Sequence, residues 1–127
     1  GIDYDVSEVL ISCGGKHSLF NIAIAMLEKG DEAILPVPYW VSYEEMIKIA
    51  DAVPVFCNTD ERFKLTAGMV EDKISEKTKL LFLNSPSNPS GAIAEPGEIR
   101  KIADLAVEHN FCVVSDEVYE HFVYVRL

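Results

Sequence analysis

The 127-residue chain lacks most of what would tie it to a membrane or to nucleic acid. No apolar stretch approaches the roughly 20 residues of a bilayer span, and its first residues show no basic-then-apolar secretory pattern. Lys and Arg number 11 against 21 Asp and Glu, a formal net charge of −10. Nucleic acid and anionic lipid surfaces demand clustered cations, so neither is expected as a partner. Cysteines are few and odd in number, and Cys13, Cys57 and Cys112 each sit in or at the end of an apolar run. No pair has a metal-like spacing, which predicts buried free thiols in a reducing, cytoplasmic compartment. His17, His109 and His121 are scattered, with no ligand partner at a recognised spacing. Asn88-Pro89-Ser90 is no glycosylation signal, because proline fills its middle position. Internal repeats and low-complexity tracts are absent as well.

What is present is the composition of a globular protein, 49% hydrophobic and 25% charged, with length for one core. Apolar runs recur at Val9–Cys13, Glu32–Pro36, Val53–Cys57, Lys79–Asn84 and Phe111–Ser115. They are short, rich in β-branched or aromatic residues and nearly continuous, as parallel strands covered on both faces should be. Helical spacing lies between them. Leu19, Ile22, Ala23 and Met26 form one stripe, with a stop expected at Lys29-Gly30. Ile99, Ile102, Ala103 and Ala106 form another, opened by Glu95-Pro96 and closed by His109-Asn110. Shorter helices fit Tyr43–Ala50 and Thr66–Ile74. The alternation predicts an α/β fold: a three-layer, doubly wound, mainly parallel sheet with helices on both faces.

Ligands of such sheets bind beyond the carboxyl ends of the strands. Four segments fall there: Gly14-Gly15-Lys16-His17-Ser18, Pro36-Val-Pro-Tyr-Trp40, Asn84-Ser-Pro-Ser-Asn88-Pro-Ser-Gly91 and Asp116-Glu117-Val118-Tyr119. Each has an ordinary structural use. Asn, Pro, Ser and Gly are turn formers, a lone Trp is often core, and a strand-end Asp often caps. Their coincidence at one sheet edge argues for a site. Prolines stiffen the third segment, and X-Pro bonds readily go cis, so one or two cis peptides fit this loop. Gly14-Gly15-Lys16 opens a helix whose first free N–H groups suit a phosphate. A nucleoside-triphosphate loop fails on spacing, since Leu10 occupies the required glycine position, and the three-glycine dinucleotide fingerprint fails too. The acidic pair Asp116-Glu117 therefore lacks the phosphate loop that an ATPase reading needs. Trp40 can lie flat on an electron-poor ring. Asp116 can partner a protonated ring nitrogen, and Tyr119 and Asn88 offer a phenol and an amide to a ring hydroxyl. Together these describe pyridoxal 5'-phosphate.

On these residues the chain resembles the class I aminotransferases of the fold-type-I pyridoxal-phosphate superfamily, most closely the aspartate-aminotransferase-like branch. The resemblance rests on Gly14-Gly15-Lys16, Pro36–Tyr43, Asn84–Gly91 and Val114–Tyr119, and extends to about Tyr124. It implies that Gly15 and Lys16 bind the cofactor phosphate through their backbone amides, and that Trp40 stacks on the ring and borders the substrate. It further implies that Asn88 bonds the ring oxygen and helps hold the substrate carboxylate, that Asp116 faces the ring nitrogen, and that Tyr119 faces the ring hydroxyl. Amino acid and 2-oxo acid substrates and a homodimer are implied with it. The family's Schiff-base lysine has no counterpart among Lys16, Lys29, Lys48, Lys64, Lys73, Lys77, Lys79 and Lys101. Arg62, Arg100 and Arg126 do not match its substrate-carboxylate arginine, and Tyr124-Val-Arg-Leu127 departs from the usual glycine-containing turn. Residues 1–127 are therefore expected to be an incomplete large domain, without N-terminal arm, lysine region or C-terminal small domain. The other readings are a non-catalytic α/β module for a phosphorylated ligand, and a lyase or racemase of the same superfamily.

Overall fold

Four of the five apolar runs become strands in the computed structural model, which describes residues 3–124. They are β1 (Glu32–Val37), β2 (Val53–Asn58), β3 (Thr78–Asn84) and β4 (Cys112–Asp116). All pair in parallel, in the order β2-β1-β3-β4. The helices are α1 (Gly15–Met26), α2 (Ser42–Ile49), α3 (Ala67–Glu71) and α4 (Pro96–Glu108). The unusual end Tyr124–Leu127, including Arg126, lies from residue 125 onward outside the described residues.

Strand alternation builds two cores, because successive side chains leave a strand on opposite faces. Ala33, Leu35, Leu80 and Phe82 meet Leu19 and Ala23 of α1 and Tyr43, Met46 and Ile47 of α2 on one face. Ile34, Leu81 and Leu83 meet Ala67 and Val70 of α3 and Ile102 of α4 on the other. This is the expected three-layer, doubly wound arrangement. The chain steps outward from β1 to β2 through α2, then returns across β1 to β3 through α3 and continues to β4 through α4. Connections running in opposite directions use opposite faces, as a single crossover hand requires. They diverge between β1 and β3, which opens a crevice at the carboxyl ends of those strands.

Some expectations are corrected. Val9–Cys13 forms no strand: Val9, Leu10 and Ile11 are 59%, 76% and 93% exposed, and the segment has no pairing partner among the described residues. Its β-branched composition fits a pleated surface, but that preference is expressed only when a neighbouring strand supplies the ladder. Gly14-Gly15-Lys16 therefore enters α1 from an extended segment, not a strand. Helix α1 ends at Met26, before Lys29-Gly30, and α3 is shorter than Thr66–Ile74. Of the three cysteines only Cys57 is buried, while Cys13 and Cys112 are exposed. Cys112 lies on β4, an edge strand of the sheet, one flank of which has no neighbour among the described residues. Helix α4 begins and ends where its signals lie, with Pro96 in its first turn and His109 as its C-cap.

Candidate functional site

The geometry of the crevice starts from one strand pair. Asn84 ends β3 opposite Asp116, which ends β4. The Asn84 side chain donates through Nδ2 to the Asp116 carbonyl at 2.9 Å and accepts through Oδ1 from the Asn88 amide at 2.7 Å. One amide thus ties the proline-rich loop to the neighbouring strand. The loop is closed on itself by bonds from Ser87 N–H to the Ala92 carbonyl and from Gly91 N–H to the Ser87 carbonyl. Both of its X-Pro bonds, Ser85-Pro86 and Asn88-Pro89, are cis, and so is Val37-Pro38 after β1, which the sequence did not single out.

Across the crevice, Gly14 adopts φ 83° and ψ 165° and hands the chain to α1. The amides of Gly15 and Lys16 find no acceptor among the described residues. Two free donors at the amino end of a 12-residue helix favour an anion there. No atom crowds a Cβ built on Gly14, so Gly14→Ala carries only the backbone strain of a conformation nearly confined to glycine. A loss of about 1–3 kcal/mol is expected, read as a lower urea midpoint with the slope unchanged.

Trp40 follows the turn after β1, with Tyr43 in the first turn of α2. The two rings meet edge to face at 5.5 Å, and the Lys16 ammonium lies 4.7 Å from the centre of the Trp40 ring. Tyr43 was read from the sequence only as part of a motif and a helix start. The structure gives it more: its hydroxyl donates to Asp116 Oδ2 at 2.5 Å. Burial first, and then that hydrogen bond, raise the Tyr43 phenol well above the ordinary tyrosine range, so it stays protonated and donates. Asp116 Oδ1 accepts from the Val118 amide at 3.2 Å. Tyr119 sits in the turn after β4, its ring 6.4 Å from Phe122. Neither the Tyr119 hydroxyl nor the Asn88 side-chain amide has a hydrogen-bond partner among the described residues.

All six residues singled out by sequence, Gly15, Lys16, Trp40, Asn88, Asp116 and Tyr119, line one cavity of about 230 Å³, together with Tyr43 and Asn84. Lys16 is the one lysine on its wall among the described residues. Lys48 pairs with Glu44, Lys64 with Glu95 and Lys101 with Glu98, all away from the crevice. No cluster of metal-ligating side chains occurs among the described residues. The signals for the two residues missed were present but general. A deeply buried Tyr needs an acceptor for its hydroxyl, and an Asn at a strand end often bonds nearby backbone. Neither signal names a partner.

Known proteins resemble this chain in sequence and in fold. A Rickettsia bellii protein named "Probable aspartate/prephenate aminotransferase" is 45% identical over 126 residues, 97% of this chain and 32% of that protein. The aspartate aminotransferase of Bacillus sp. (strain YM-2) is 41% identical over 125 residues, again 97% and 32%. Among solved structures, Thermus thermophilus aspartate aminotransferase with maleate superposes with a TM-score of 0.87 at 46% identity, covering 89% of this chain and 30% of that one. N-succinyldiaminopimelate aminotransferase from Mycobacterium tuberculosis gives 0.94 at 34% identity, covering 100% and 34%. The chain thus spans about a third of the length of the relatives it matches. The family model described as aminotransferase class I and II matches residues 1–127, and the chain belongs to that family.

Proposed function

We propose that this chain is the part of a pyridoxal-phosphate-dependent aminotransferase large domain that holds the cofactor, in an enzyme moving an amino group between an L-amino acid such as aspartate and a 2-oxo acid. The observation that carries the reading is the convergence of a carboxylate, a phenol, an amide, an indole face and two free helix amides on one cavity. That donor set matches the group chemically. The cofactor, when bound, supplies an electron sink for the substrate carbon. Asp116, anchored through both oxygens, serves as the anion beside the ring nitrogen. Trp40 offers a flat face to the ring and borders the substrate. Asn88 and Tyr119 have unspent donors for the ring oxygen, and Asn88 also reaches toward the substrate carboxylate. Gly15 and Lys16 present their amides to the phosphate, which local dipoles must hold against the protein's negative charge.

The nucleophilic lysine that this chemistry requires belongs, in this reading, to the two thirds of the relatives that the chain does not span. A homodimer in the cytoplasm fits the same reading. The free cysteines support the reducing compartment; among the described residues no helix is long and apolar enough to cross a membrane.

The test is made on a protein of the relatives' length that carries this segment. The expected result is saturable binding of pyridoxal phosphate, seen as a shifted visible absorbance, and amino transfer from aspartate to 2-oxoglutarate. Cofactor binding with elimination or racemisation and no transfer would move the assignment to another reaction of the superfamily. Failure to bind the cofactor, with inorganic phosphate still bound, would favour a phosphate-ligand module.

A further inference from the structure

We infer that Tyr43 is a positioning residue of the site: its hydroxyl fixes the Asp116 carboxylate and keeps the proton of the facing cofactor on the ring nitrogen, while its ring, perpendicular to that of Trp40, helps set the plane of the indole. The inference rests on the cofactor reading of Asp116 given above.

Three observations carry it. First, Tyr43 cannot swing. It is 2% exposed, with its ring stacked on Phe82 at 5.2 Å and 29° and packed against Trp40 at 5.5 Å and 89°. Its hydroxyl is therefore delivered to one place. Second, that place is Asp116 Oδ2, at 2.5 Å, while Oδ1 takes the weaker 3.2 Å bond from Val118 N–H. The carboxylate is gripped at both oxygens, and the stronger grip is a side chain from a different element. Third, the same ring touches Trp40, so one residue connects the counter-ion to the stacking face.

The chemical consequence follows from basicity. A short bond from a neutral donor spreads the negative charge of a carboxylate and lowers its affinity for a proton. Between a ring nitrogen and Asp116, a less basic carboxylate leaves the proton on nitrogen. Removing the hydroxyl makes Asp116 more basic and draws the proton toward it. The blander possibility is that a buried phenol merely found an acceptor. Tyr39 provides the comparison within the same region: its hydroxyl donates to Glu44 at 2.5 Å and its ring stacks on Phe56, away from Asp116.

The experiment compares Tyr43→Phe and Tyr39→Phe in the holoenzyme loaded with pyridoxal phosphate labelled with 15N in the ring. For Tyr43→Phe we expect the 15N signal to move toward the unprotonated value. A fall in kcat of about ten- to a hundredfold, the worth of a hydrogen bond to a charged group, should accompany it, with KM within about twofold. Tyr39→Phe should leave the 15N signal in place and move the melting temperature alone. Incorporating 3-fluorotyrosine at position 43 keeps both the packing and the donor, and should hold kcat near the parent value. An unmoved 15N signal with unchanged kcat in Tyr43→Phe, or equal losses with phenylalanine and fluorotyrosine, overturns the inference. Should Asp116→Asn also leave the 15N signal unmoved, the assignment of Asp116 itself is what fails.

Discussion

On the proposed function, Asp116→Asn in a protein of the relatives' length that carries this segment is expected to lower turnover by about a hundred- to a thousandfold, the usual loss for a preorganised electrostatic partner. The melting temperature should move by only a few degrees. The asymmetry follows from what the substitution keeps. Asparagine has the size of aspartate, and its remaining oxygen can still accept one of the two donors, Tyr43 Oη or Val118 N–H. The backbone of β4 is held independently, since Asn84 Nδ2 and Ser85 N–H both bond the Asp116 carbonyl. What disappears is the negative charge. In the proposed site, a protonated ring nitrogen would then lose its counter-ion and the substrate carbon its electron sink. A purely structural Asp116 gives the opposite pattern, a lowered melting point with turnover near normal, and measuring both on one preparation separates the two.

Phe82→Ala is expected to be the most damaging of the core substitutions, at about 3–5 kcal/mol. Phe82 lies in β3, an interior strand of the sheet, and is 2% exposed. Its ring backs that of Tyr43, and Leu35, Leu80 and Met46 share its core. Domains of this size are stable by only about 5–15 kcal/mol, so most of the margin would go. The urea midpoint should fall steeply. Phe122→Ala, at a residue 60% exposed, should stay within about 0.5 kcal/mol. Equal midpoints for the two variants would contradict the placement of the core. Because Phe82 also backs Tyr43, residual folded Phe82→Ala protein should bind the cofactor less tightly.

The parts of this architecture that depend on local pattern were readable in the residues. Runs such as Leu80-Leu-Phe-Leu83 announce a strand covered on both faces, and the two cores sort its alternate side chains accordingly. Helix α4 announced both its ends, through Pro96 and through His109-Asn110. The six candidate residues share one cavity because loops at one sheet edge collect unusual residue types. What escaped depends on long-range partners. Val9–Cys13 has strand composition, but composition carries no information about whether a neighbour exists. Cys112 sits in an apolar run yet is exposed, because burial depends on the position of its strand in the sheet. The helical pattern places Tyr43 on the inner face of α2 but does not reveal that Asp116, far along the chain, is its acceptor. Asn84 looked like one turn former among several, and its significance comes from the register that sets it opposite Asp116.

That Asn84 clasp has a mechanical meaning. Because one side chain holds both the Asn88 amide and the Asp116 carbonyl, thermal breathing of the loop and of β4 is shared, and the spacing between these two groups is insulated from it. The crevice has two walls, one carried by β3 and β4 and the other by the leading ends of α1 and α2, joined below by a shared core. Among the described residues, the Tyr43–Asp116 bond is the side-chain hydrogen bond that spans them. Any adjustment to ligands of different size should therefore be felt first at this bond, the polar link between the two walls.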